Sequence, residues 1–157
     1  MITDIESLIY QAEAEHLIQK DLGVFKSQVL YLEERLKVYE LMRTQEAEVF
    51  QHVANQLINN FPQQPQEEVK LALKHWLLIT RCCAMAMLSN DPLYLQQRIL
   101  AWLPEQIEAH KMQDLERNLA DYLLKRLKKV MGIEHFSIIK PYLEESKTIL
   151  VTQSSSS

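Results

Sequence analysis

Glycine and proline are scarce in this chain, and their scarcity limits the folds that it can adopt. Two of the 157 residues are glycine and five are proline. A β-rich protein of this length needs more of both residue types at the turns between its strands. Apolar residues make up 47% of the sequence, which is enough for one hydrophobic core. We therefore expect one almost wholly α-helical domain over residues 1–152, followed by a flexible polar tail at residues 153–157.

Apolar residues recur at steps of three and four along most of the chain, a spacing that is typical of amphipathic helices. The clearest stripe contains Leu115, Leu119, Leu123 and Leu127. The first helix is expected to begin after residue 3 or 4 and to loosen around residues 20–23. The later helices are predicted at 24–43, 45–60, 66–89, 92–102, a short piece ending near 110, 113–131 and 137–152.

Particular residues are expected to set the ends of these helices. Gly23 weakens the helix in which it lies. Asp91 is a good N-cap, and Pro92 suits the first helical position that follows it. Gly132 is predicted to form a left-handed C-terminal cap, and Pro141 is expected in the first turn of the last helix.

The charge balance and the hydropathy pattern restrict the partners and the location of the protein. Lysine and arginine number 17 and aspartate and glutamate 21, so we expect no binding to nucleic acid. The N-terminus shows no basic region followed by a long apolar run, so no signal peptide is expected. The most apolar stretch, residues 71–88, contains Lys74, His75 and Arg81 and is shorter than the about 20 residues of a membrane span. The pattern predicts a buried core helix, no transmembrane segment and a cytoplasmic protein.

Few residues offer spacing suited to chemistry. The adjacent Cys82 and Cys83 would form a strained disulfide, so we interpret them as reduced, buried thiols. Glu13 and His16 have the spacing of one half of a carboxylate-bridged metal site, but a second copy is missing from the sequence. His75, in an apolar helix, is interpreted as a satisfied interior histidine, with a pocket-facing role as the alternative. We expect no metal, no catalytic residues and no enzymatic activity.

Several segments, taken in order, resemble one known family. Residues 5–62, which end in a Phe-Pro pair, are similar to the opening of phycobiliprotein subunits. The segment KHWLLITR at residues 74–81 resembles that family's Tyr-Tyr-Leu-Arg-x-Val/Ile-Thr-Tyr helix, and residues 89–92 stand where the family has a glycine-rich turn. Residues 122–150 resemble the last two helices, with Gly132 between them. The resemblance to phycobiliproteins such as allophycocyanin and phycocyanin covers about residues 4–150.

This resemblance implies a globin-like fold of six core helices preceded by a two-helix extension. In the family, the extension joins the α and β subunits, and the assembled subunits build the phycobilisome antenna on the thylakoid surface. The resemblance therefore implies phycobilisome subunits as partners, a homo- or heterodimer through residues 4–22, and a peripheral location at the thylakoid membrane.

The departures from the family pattern concern the pigment site. The resemblance aligns Glu68 with the cysteine that attaches bilin, Lys70 with an arginine that pairs with a bilin propionate, and Leu71 with an aspartate that binds pyrrole nitrogens. The segment before this helix is also shorter than in pigment-bearing members. We therefore expect no covalently bound bilin and no cofactor. If a tetrapyrrole binds noncovalently, Lys70, Lys74 and His75 are the residues expected near the old pocket.

The leading hypothesis is a non-catalytic, phycobiliprotein-like protein that acts in the assembly, docking or turnover of the phycobilisome. One alternative is a noncovalent tetrapyrrole-binding antenna or photoprotective subunit. Another is a stand-alone globin-like sensor or adaptor module. An enzyme, such as a bilin lyase or isomerase, is the weakest alternative because it needs an acid–base constellation that the sequence does not display.

Overall fold

A computed structural model describes residues 2–152, except for the side chains of residues 2–4, 17 and 152. The polar tail predicted at residues 153–157 lies outside the described residues. The described residues form six α-helices and one π-helical segment, and the expected all-α class is confirmed. These elements are α1 (Ile2–Asn60), α2 (Gln66–Ser89), α3 (Pro92–Leu95), the π-helical segment Gln96–Leu100, α4 (Leu103–Ala109), α5 (Gln113–Met131) and α6 (Ile133–Thr152).

The chain divides into two compact units, which we call the first unit (Met1–Glu34) and the second unit (Arg35–Ser157). The described part of the first unit belongs to α1 alone. The second unit contains the rest of α1 and the other helices. One domain over residues 1–152 stays a prediction.

A single helix, α1, occupies the region in which three helices were expected. The predicted break around Gly23 is wrong, because one glycine costs a helix only about 1 kcal/mol relative to alanine. The predicted break between residues 43 and 45 is also wrong. The Thr44 hydroxyl donates to the Glu40 carbonyl at 2.9 Å and so makes its hydrogen bond inside the helix. The three helices predicted between residues 4 and 60 are therefore one helix in the structure.

The core of the second unit lies where α2, α5 and α6 meet. Trp76 and Ile79 of α2, Leu119 and Leu123 of α5, and Ile139 of α6 are fully buried. The second half of α1 adds Val49, Val53 and Leu57 to the same cluster. The predicted stripe of α5 is confirmed, because all four of its leucines are buried.

The turn after α2 uses the residues that the sequence indicates. Asn90 ends α2 in the left-handed conformation, with φ 52° and ψ 45°, and its N–H bonds to carbonyls of the last helical turn. The Asp91 side chain accepts a hydrogen bond from the Leu93 N–H at 3.1 Å, and Pro92 occupies the first helical position. The predicted cap is confirmed. The predicted helix over 92–102 is wrong in form, because four α-helical residues lead into the π-helical segment.

Between α5 and α6, the end of α5 agrees with the prediction, but the start of α6 does not. The range of α5 is confirmed. Gly132 has the expected positive φ of 85°, but its ψ of 162° is extended, so the predicted left-handed cap is wrong. Its carbonyl accepts the Phe136 N–H at 3.0 Å, and α6 therefore begins at Ile133 and not at residue 137. Pro141 lies inside α6 and is exposed, where water can bond the carbonyl that proline leaves unpaired.

Gly132→Ala is expected to destabilise the protein by roughly 1–3 kcal/mol. The backbone conformation of Gly132 is accessible almost solely to glycine, so an added Cβ strains the chain even though nothing lies within 4 Å of it. The measurement is the free energy of unfolding from urea denaturation followed by circular dichroism.

Gly23→Ala serves as the control, because nothing lies within 4 Å of an added Cβ there either, but the backbone is helical. It should increase helicity, since alanine favours a helix by about 1 kcal/mol. Equal effects of the two substitutions would contradict the conformation described for Gly132.

Candidate functional site

The three residues expected near the old bilin pocket lie in the first turns of α2 and face different surroundings. Lys70 and Lys74 are exposed and stand one helical turn apart. Lys70 forms a loose ion pair with Glu67, with 3.7 Å between Nζ and Oε1. His75 is buried instead. The structure thus brings the two lysines together and separates the histidine from them, and a tetrapyrrole pocket formed by all three stays a prediction.

The residues that replace the bilin-attachment pattern are used in packing and turn formation. Glu68 accepts a hydrogen bond from the Gln64 side chain, across the turn that begins α2. Leu71 is half-buried and packs against the hydrophobic core. Each therefore has a role in the fold that does not require a ligand.

The best-formed polar contact in the core joins α2 to α5. The His75 Nδ1 atom lies 2.7 Å from Oε1 of Glu116, and the Glu116 side chain is fully buried. The indole of the neighbouring Trp76 is also buried completely. His75 is therefore a satisfied interior histidine, as the sequence suggests.

The electrostatics of this pair depend on burial. Burial raises the pKa of Glu116, because the charged carboxylate loses water, and the hydrogen bond and positive charge of His75 partly counteract that rise. The indole N–H of Trp76 also lowers the pKa of Glu116, although it makes no direct hydrogen bond to any described residue. The other carboxylate oxygen, Oε2, has no hydrogen-bond partner within the described part of the chain.

Glu116 was missed in the sequence, although a signal for it exists. It directly follows Leu115 and precedes Leu119 by three positions, so it lies on the edge of the stripe that α5 buries. A carboxylate at such a position requires a buried partner. His75, the only histidine in the apolar helix α2, is the partner that the sequence offers for this carboxylate.

The two cysteines are free thiols with raised pKa values. Burial raises the pKa of Cys83 to about 12, and its Sγ atom lies 3.5 Å from the Ser146 hydroxyl. Burial also raises the pKa of the half-buried Cys82, with a smaller opposing effect of Arg98. The prediction of reduced thiols is confirmed, but only Cys83 is fully buried. Neither thiol is activated as a nucleophile or a metal ligand at neutral pH.

A cleft of about 310 Å³ opens where α1 crosses α2 inside the second unit. This volume is at the lower end of the range for small-molecule pockets. Arg81 and Glu46 at its rim form a two-pronged ion pair, with distances of 2.7 and 3.1 Å. The Arg43 guanidinium stacks over the ring of Tyr39 at 5.9 Å. The remaining lining residues are Met42, Thr80, Ala84 and Met85. These groups could hold a small ligand, but they do not pair a nucleophile with a base.

The first unit exposes large apolar side chains along its helix. Ile5, Leu8 and Ile9 are 55–64% exposed, and Ala12, one turn further along, is exposed as well. These four residues lie on one side of α1, and we call them the N-terminal face. Contiguous apolar surface of this kind commonly marks a site of protein association.

The structure also bears on metal binding and on membrane crossing. No group of three or more histidine, cysteine, aspartate or glutamate residues that could hold a metal ion was found in the part of the chain that the structure describes. By length and composition alone, the 24-residue α2 could cross a membrane, and it is longer than the apolar stretch at residues 71–88 suggests. Half of its most apolar window is buried inside the protein, which is also true of core helices, so this is weak evidence for a membrane span.

Comparison of the sequence with protein-family models found no match. Comparison with curated proteins found no significant match.

Replacing the buried carboxyl group should change how stability depends on pH. The pKa of Glu116 is higher in the folded protein than in the unfolded chain. The contribution of Glu116 to stability is therefore largest at low pH, where the group is protonated in both states. This contribution is lost as pH rises through the folded-state pKa. Glu116→Gln removes this loss. The free energy of unfolding of the variant, relative to the unmodified protein, should therefore increase as pH rises above the ordinary glutamate pKa of about 4.

The exposed Glu108 provides a matched control. Glu108→Gln removes a carboxyl group from the surface and should show no comparable trend. Denaturant titrations at several pH values measure both differences. A constant difference for Glu116→Gln across the pH range would contradict the role assigned to burial.

The two thiols should also differ in reactivity. With a disulfide-exchange reagent at about pH 8, Cys82 should react slowly in the folded protein, and Cys83 only after unfolding, because burial raises both thiol pKa values and hides Cys83. Mass spectrometry counts the modified sites over time. In Cys82→Ser the slow phase should vanish, and its persistence would show that Cys83 is accessible.

Proposed function

We propose that this chain is a non-catalytic, phycobiliprotein-like protein that associates with the phycobilisome antenna and carries no covalently bound bilin. It acts by binding other antenna subunits, in assembly, docking or turnover. The proposal includes a globin-like arrangement of the second unit, for which the all-helical structure is the supporting observation.

The observation that carries the proposal is the exposed apolar surface of the first unit. The N-terminal face presents Ile5, Leu8 and Ile9 to solvent, each more than half exposed. Burying such a face on another protein removes apolar area from water, which is worth roughly 25 cal/mol for each Å². The resemblance assigns subunit joining to this same stretch, residues 4–22, so a phycobiliprotein subunit is the partner that we propose.

The absence of a covalent pigment is supported by the chemistry of α2. Bilin attachment needs a thiol, and the position that the resemblance indicates is Glu68, which already bonds to Gln64. Cys83 is buried with its pKa raised to about 12, and Cys82 is half-buried with a raised pKa. Both lie about four helical turns beyond Glu68, far from the attachment position along the helix axis.

A binding role also agrees with how the charged groups are used. The buried carboxylate of Glu116 bonds to His75, and Glu46 at the cleft bonds to Arg81. These carboxylates therefore stabilise contacts between helices. Their partners are basic side chains of the protein itself, which is typical of structural ion pairs.

The test is direct binding of the purified full chain to isolated phycobilisome subunits, such as allophycocyanin or phycocyanin. We expect a complex by sedimentation velocity, and a colourless protein when the chain is produced together with bilin synthesis. Ile9→Glu should weaken binding about tenfold or more, because it places a charge in the centre of the N-terminal face.

Tyr10→Glu is the matched control, because Tyr10 is also exposed but projects from the opposite side of the helix. It should bind within about threefold of the unmodified chain. Equal losses for the two variants would contradict a specific role of the N-terminal face. Failure to bind any antenna subunit would contradict the proposed function, and a visible absorption band would support the noncovalent tetrapyrrole alternative.

A further inference from the structure

A second apolar stripe runs along the first unit, separate from the N-terminal face. It consists of residues spaced alternately by four and three positions, and we call it the heptad seam: Ile18, Leu22, Phe25, Val29 and Leu32. All five side chains are 39–62% exposed. At about 100° per residue, the centre of the seam is turned by roughly 130° from the centre of the N-terminal face.

This spacing is that of a coiled coil. Alternate steps of four and three place Leu22 and Val29 at the a positions of a heptad and Ile18, Phe25 and Leu32 at the d positions. Such a seam repeats every 3.5 residues and stays in contact with another helix of the same period when the two supercoil. Val29 at a and Leu32 at d are the combination that favours two strands among parallel coiled coils.

The charges beside the seam select the partner and its direction. Asp21 is at a g position and Lys26 at the following e position, and both are exposed. In a parallel, in-register pair of identical helices, g faces the next e of the other helix, so Asp21 meets Lys26 of the second copy on both sides. Antiparallel pairs place e against e and g against g. Two antiparallel registers align four of the five seam layers. One of them places Lys26 against Lys26 of the second copy. The other places both Lys26 and Asp21 opposite glutamine residues.

We propose that the heptad seam joins two copies of this chain through a parallel, in-register coiled coil of their α1 helices. The first unit has a physical need for such a partner, because its described residues all belong to one helix. Helices in water gain most of their stability from packing an apolar face, and Gly23 weakens this one further. Five layers form a short seam, so we expect a dissociation constant on the order of 10 µM.

The experiment is sedimentation equilibrium of the full chain from about 1 to about 200 µM, which brackets the expected constant. The unmodified chain should pass from monomer to dimer in this range. Val29→Glu, which puts a charge in the seam, should weaken dimerisation about tenfold or more. Val24→Glu makes the same change at an exposed residue outside the seam and should leave the constant within about threefold.

Charge reversal tests the direction of the two helices. Asp21→Lys alone and Lys26→Asp alone should each weaken the dimer, and the two substitutions together should restore it. In a Cys82→Ser background, Phe25→Cys should cross-link two copies under oxidising conditions, because parallel d positions face each other. A chain that stays monomeric at the highest concentration would overturn the proposal. So would equal effects of Val29→Glu and Val24→Glu, or single charge reversals without effect.

Discussion

The packing of the second unit depends on a carboxylate that has no access to water. Glu116 is fully buried, and its one direct hydrogen bond leads to His75, across the interface between α2 and α5. Removal of either side chain would leave the other polar group buried without a partner, which costs far more than the pair contributes. The pair therefore favours the register of the two helices in which both groups meet. A slip of one turn would move the two groups about 5.4 Å apart, and no other described residue takes the place of either one.

The fold could be predicted where local signals were strong and unopposed. The ranges of α2 and α5 agree with the predicted ones, because Pro65 and Asn90 flank α2 in the sequence and a single leucine stripe runs along α5. The errors came where one residue was given too much weight. Gly23 and the sequence around Thr44 were expected to end helices, yet each costs about 1 kcal/mol or less, and a long helix tolerates that. Pro141 was expected near a helix start, whereas the extended Gly132 moves that start back to Ile133.

The site could be predicted only in part, because its central contact joins residues far apart in the chain. The burial of His75 follows from its apolar neighbours on α2. Its partner does not, since Glu116 lies 41 residues away and only the packed structure brings them together. Lys74 and His75 illustrate the same limit. As neighbours on a helix, their side chains point about 100° apart, so Lys74 is exposed while His75 is buried. Residues that are close in the sequence can line one pocket only if they lie on the same face of the helix.

The first unit poses a different physical problem, because its described residues all belong to one helix and form no core between helices. Helices in proteins gain most of their stability from packing an apolar face, and the apolar residues of this helix lie on two faces that are turned roughly 130° apart. Burying one face leaves the other exposed, so two separate partners can bind the same helix without competing for it. Each binding event also stabilises the helical state by mass action, which raises the affinity of the helix for the other partner. If both proposed associations occur, we expect the proposed self-association and the proposed antenna binding to be positively coupled through the helix that they share.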